Sequence, residues 1–138
     1  MKKQRLWAIR LTLMPTLAVN LLSGLSWALA PEAVMPGFEV EGIGGRVLVQ
    51  AFGISLALST MPYVAAWSNP YRHLLSFVYV LLFQLLGTLA EIVVITTLPP
   101  GHEVLRTTGK LFITVDGAGF LLLLVGFVLT WQGRGKRV

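Results

Sequence analysis

"GTLAEIVVITTLPP", Gly87 to Pro100, closes a long apolar run and holds a carboxylate, Glu91, within it. Pro99-Pro100-Gly101 stops the run with a strong turn signal. Followed back towards His73, the run has the length of about 20 apolar residues that crosses a bilayer core. An acid at that depth costs about 2.5 to 3.5 kcal/mol on insertion scales, so Glu91 is expected to face inward and find a partner.

Three more such runs make up most of the rest. The chain has 138 residues, 55% hydrophobic and 12% charged, about half the charged fraction of a soluble domain. Spans are expected over about 6–30, 46–67, 73–98 and 109–131. The expected fold class is all-α, an integral membrane four-helix bundle forming one domain over 1–138. Pro31, Pro36 and Gly42 to Gly45 break the first connection, and Asn69-Pro70 breaks the second. Pro15 and Pro62 read as kinks near span ends. The basic start and the small-x-small site at Ala28-Leu29-Ala30 resemble a secretion signal, but Pro31 after the site argues against cleavage, so the segment reads as a signal anchor and a true span.

Lys2, Lys3, Arg5, Arg10, Arg72, Arg134, Lys136 and Arg137 fall on the side of the two chain ends, and only Arg46, Arg106 and Lys110 on the other. By the positive-inside rule both termini are cytoplasmic, and the expected location is the bacterial inner membrane. This basic character is topology rather than a nucleic-acid footprint. The first outer loop, "PEAVMPGFEVEGIGG", carries Glu32, Glu39 and Glu41. It reads first as a solvated connector and second as a segment lying across the bundle mouth.

Each span sends a polar group to one layer in the outer half. Glu91 lies about 10 Å below the outer end of the third span, and Asp116 at a similar depth in the fourth. Arg46 and Gln50 stand one turn apart on the second, and Asn20 lies slightly deeper on the first. The expected arrangement is an interior network of Glu91, Asp116, Gln50 and Arg46, with Asn20 as a further donor and one acid able to stay neutral. Gln84 shares the face of the third span that carries Glu91. Ala51, Ser55 and Ser59 on the second span, with Gly117 and Gly119 on the fourth, offer small surfaces for close helix approach. The layer reads either as a register-fixing network or as a site for a quinone, a lipid head group or a small apolar substrate.

Without cysteine there is no disulfide, thiolate metal site or iron–sulfur cluster. His73 and His102 lie at opposite membrane faces, which excludes an intrinsic bis-histidine haem and leaves zinc without a ligand set. One histidine could still ligate a pigment shared with a neighbour. Trp7, Trp27, Trp67 and Trp131 sit at span ends as interface anchors. No phosphate loop or nucleophile–base motif is present, so an enzyme is not expected.

"WALAPE" ending the first span, "GIGGRVLVQAFGISLAL" after the outer loop, "WSNPYRHLL" at the inner turn, "GTLAEIVV" in the third span and a basic tail together resemble the small DoxX-like and BphX-like membrane proteins. The likeness covers nearly the whole chain as a pattern of spacing. It implies a subunit of a quinone-linked complex or a hydrophobic-ligand role. Three functions are therefore carried forward. The first is a non-catalytic accessory subunit of a larger respiratory or photosynthetic membrane complex. The second is a quinone- or lipid-binding protein using Glu91, Asp116, Gln50, Arg46 and Asn20. The third is a proton-coupled transporter acting as an oligomer. Expected partners are membrane lipids and either other membrane subunits or further copies of the chain.

Overall fold

The structure, a computed structural model, describes residues 2–134; Lys136 and Arg137 of the basic tail lie outside the described residues. Helix accounts for 88% of it, with no strand among the described residues. The elements are α1 (Lys2–Leu29), α2 (Pro31–Val34), a 3-10 turn (Met35–Phe38), α3 (Gly42–Leu58), α4 (Met61–Ser68), α5 (Leu74–Thr97) and α6 (Glu103–Arg134). Four stretches are long and apolar enough to cross a membrane: Lys3–Leu29, Gly42–Ser68, Leu74–Thr97 and Glu103–Gly133. Both chain ends lie on one side, where Arg5 donates to Gln132 Oε1 at 3.1 Å. This side is called the terminal end below, and the other the loop end.

The second span is two helices. After Leu58 the Ser59 and Thr60 hydroxyls turn back onto the carbonyls of Leu56 and Ala57, at 2.7 and 2.6 Å. Pro62 then has no N–H with which to continue the α3 ladder. The chain restarts as α4, so Pro62 belongs to a break between helices rather than to a simple kink. Pro15, by contrast, sits within a continuous α1.

α1 packs along α3, α4 and α6, while α5 packs along α6 and α4. The α1–α3 crossing is the closest. Gly24 and Ala28 on α1 face Gly53 and Ala57 on α3; a Cβ built on Gly53 would lie 2.5 Å from Ala28 N, and one on Gly24 2.6 Å from Ala57 N. Each helix thus offers a small-xxx-small pair, which lets backbones touch where lipid supplies no hydrophobic drive for association. The expected stripe of Ala51 and Ser55 is instead exposed. At the terminal end Ile9, Leu13, Tyr63, Ala66, Phe77, Val80 and Leu123 form the core.

Two arginines close helix ends. Arg10 donates to the carbonyls of Trp67 and Ser68 at 3.0 and 2.9 Å and lies over the Trp7 and Trp67 rings. Arg106 donates to Leu98 O at 3.1 Å, meeting an orphan carbonyl beyond α5.

The outer loop is not a solvated connector. It folds as α2 and the 3-10 turn, and Phe38 packs against Trp27 and Phe112 with ring centroids 5.2 and 5.9 Å apart. Trp27 is therefore part of an aromatic cluster. Glu39, in the left-handed region at φ 52°, accepts the Leu105 N–H at 3.0 Å and contacts His102 Nδ1 at 2.6 Å. A residue from the loop thus caps the start of α6, and the segment is a strap across the bundle mouth. The Leu105 N–H first, and His102 next, hold the Glu39 carboxyl below its ordinary value of 4.5. A carboxyl lowered on folding contributes stability above its unfolded value and loses it as pH falls through the lower folded one. Acidification below 4.5 is therefore expected to loosen the strap. The readout is Trp27 emission with the other three tryptophans changed to Phe. Glu39→Gln should remove the transition; an unchanged transition would sink this assignment.

Candidate ligand site in the polar layer

The layer exists, with a membership different from the expected one. Asn20 on α1 donates from Nδ2 to Tyr63 OH on α4 at 3.3 Å, Tyr63 OH donates to Gln84 Oε1 on α5 at 2.9 Å, and Gln84 Nε2 donates to the Asp116 carbonyl on α6 at 3.3 Å. One chain of hydrogen bonds thus ties all four spans together.

Its direction follows from chemistry. The Asp116 carbonyl can only accept, so the Gln84 amide nitrogen must face it and Gln84 Oε1 must face Tyr63. Tyr63 has one proton, which goes to Gln84. Asn20 must therefore be the donor to Tyr63. Asn20, Gln84 and Thr16 are each at least nine-tenths buried.

Glu91 and Asp116 meet. Their carboxyl groups lie within hydrogen-bonding reach across the α5–α6 interface, a contact that is a hydrogen bond only when one of them carries its proton. Glu91 Oε2 is buried without a hydrogen-bond partner. Arg46 and Gln50 are not in this network. Arg46 pairs with Glu32 at 3.2 Å in an exposed ion pair, and Gln50 donates to the Ala28 carbonyl at 3.3 Å, near the end of α1. Neither reaches the layer because α3 packs chiefly on α1, away from the α5–α6 interface. Glu91 is thus partnered by Asp116 alone of the groups expected for it.

A pocket of about 220 Å³ opens through the α1–α6 seam onto this layer. Thr16, Asn20 and Asp116 are among the residues that line it, but its open surface is almost wholly apolar, and Val19, Val115 and Leu122, each partly exposed, border it. The seam is narrow there because Gly119 faces Thr16; a Cβ on Gly119 would lie 3.1 Å from Thr16 Oγ1. The Thr16 hydroxyl oxygen is buried without a hydrogen-bond partner. Asp116 lies about 20 Å along α6 from its loop end and about 10 Å beyond the start of the apolar run at Gly109. A second pocket of about 280 Å³, beneath the strap, is walled by aromatic and aliphatic side chains, Trp27, Phe38, Val40, Leu48, Val49 and Phe52.

Tyr63 was the residue sequence reasoning missed. A tyrosine near a span end reads as an interface anchor, and only the restart of the helix at Met61 turns it into the core. Gln84 was visible as a member of the Glu91 face. Among the described residues no group of three metal-ligating side chains comes together. No family model, curated protein or solved structure matches this chain.

Proposed function

We propose that this chain is an integral membrane binding protein or subunit that holds a small lipid-phase molecule at the polar layer, with both termini cytoplasmic. The observation that carries the reading is the side pocket, which leads from the bilayer to Thr16, Asn20 and Asp116. Its size suits one substituted ring, since a cavity of about 150 Å³ already admits benzene. A ring of the quinone kind, with its tail left in the lipid, fits this volume and depth. Native mass spectrometry of gently extracted protein tests it. A bound small molecule is expected on the wild type and absent from Val115→Trp, which fills the pocket. Equal occupancy in both, or none in the wild type, would contradict the reading.

The second reading is a non-catalytic subunit of a larger membrane complex. What favours it is α3, an edge helix whose Ala51 and Ser55 are exposed and offer a surface for a partner helix. Reproducible partner masses in the same spectra would support this reading.

A further inference from the structure

We propose that Glu91 and Asp116 form an acid–carboxylate pair with one exchangeable proton, carried by Glu91, and that loss of this proton parts α5 from α6. The inference stands apart from the binding reading, because it needs no occupant in the pocket. Its first support is contact without a counter-charge. The two carboxyl groups lie within hydrogen-bonding reach, and two carboxylates that close cannot both stay ionised. Among the described residues no cation bears on either group. Arg46 is paired with Glu32, Arg106 is held on Leu98 O, and Lys110 lies about 9 Å nearer the loop end of α6. At this level α4 brings one titratable group, Tyr63, and α1 brings the neutral Thr16 and Asn20.

The second support is an asymmetry of donors. Gln84 stands two turns from Glu91 on the same face of α5. Its amide reaches the Asp116 carbonyl at 3.3 Å and the Asp116 carboxyl as well, which uses both of its N–H groups. N–H donors hold a carboxylate, so the negative charge belongs on Asp116. Glu91 receives no N–H, and Asp116 is the one side chain that hydrogen-bonds to it. The proton therefore sits on Glu91, which donates it to Asp116. The pair is also tied to the layer: Ile95 packs over Gly109 on its loop-end side, and the Gln84–Asp116 bond lies on its other side. Two charges between these contacts repel across the α5–α6 seam, and the long bond from Gln84 is the one that gives.

Infrared spectra of the full chain in phosphatidylcholine bilayers, with glutamate carbon-13 labelled, count protonated glutamates, because a carboxylic acid absorbs apart from a carboxylate. The chain has no cysteine, so spin labels can be placed through new cysteines at Val93 and Leu111, both exposed. Between about pH 6 and about pH 10, where the loop glutamates stay ionised, the count is expected to fall from about one per chain to about zero. The Val93–Leu111 distance should lengthen with it by about 2 Å. Glu91→Gln keeps an N–H donor toward Asp116 without a titrating proton, so it should fold and show neither change. No protonated glutamate at the lower pH, one still protonated at the higher, or a signal that survives in Glu91→Gln would overturn the pair. A proton lost without a change in distance, or the same lengthening in Glu91→Gln, would overturn the parting of the helices.

Discussion

Gly53→Leu is expected to lower the stability of the bundle by about 3 kcal/mol, the upper range for overpacking. Atoms that a new side chain would strike are usually other side chains, which can rotate away. Here they are backbone: Ala28 N at 2.5 Å, Gly24 O at 2.7 Å and Trp27 C at 2.8 Å from the first added carbon. Relief therefore requires α1 and α3 to move apart, which also uncovers the matching approach of Gly24 to Ala57. Reversible unfolding in mixed detergent micelles measures the loss. Gly87→Ala is the control, because a Cβ there meets nothing within 4 Å, and it should be neutral or slightly stabilising. Equal effects from the two substitutions would show that α1 and α3 do not cross at Gly53.

The second large effect is expected for Tyr63→Phe. It deletes one oxygen, yet that oxygen accepts from Asn20 and donates to Gln84, so two buried amide groups lose partners at once. Unpaired buried polar groups cost about 1 to 3 kcal/mol each. Interhelical hydrogen bonds in membranes average only about 0.6 kcal/mol, because the separated helices also find partners. A loss of about 1 to 2 kcal/mol follows, together with coupling to Gln84→Leu in a double-mutant cycle. Additive losses would mean that the two side chains do not touch.

Much of this architecture was legible in the chain. Four apolar runs and the breaks at Pro31, Asn69-Pro70 and Pro99-Pro100 placed the spans within a few residues, because crossing a bilayer imposes a length that composition reveals. The fourth was an exception. Its helix begins at Glu103, six residues before the expected start at Gly109, because the polar turn Arg106-Thr107-Thr108 stays helical above the apolar run.

Rotation about each helix axis was less legible. Both lipid and core are apolar, so hydrophobicity hardly distinguishes the inward face of a span. Arg46 and Gln50 share the right depth with Glu91 but are turned away from it, whereas Asp116 shares depth and direction. Small residues mislead in the same manner. Gly53 and Ala57 meet α1 while Ala51 and Ser55 do not, and spacing alone cannot separate the two sets. The strap was legible only as the second of two readings of the loop, for another reason. Its anchor is a contact between Glu39 and the start of α6, 66 residues apart at Leu105, which no local pattern encodes.

A hydrogen-bonded layer joins the four long helices, and the proposed function requires it to open to lipid between α1 and α6. Solid-state NMR of the labelled protein in lipid bilayers tests it most directly, by recording through-space contacts at Tyr63 and from lipid chains to the seam. Cross-peaks from Tyr63 to the Asn20 and Gln84 side-chain amides, with lipid-chain contacts at Val19 and Val115, are the predicted result. A Tyr63 ring facing lipid, or a seam at Val19 and Val115 without lipid contact, would contradict it.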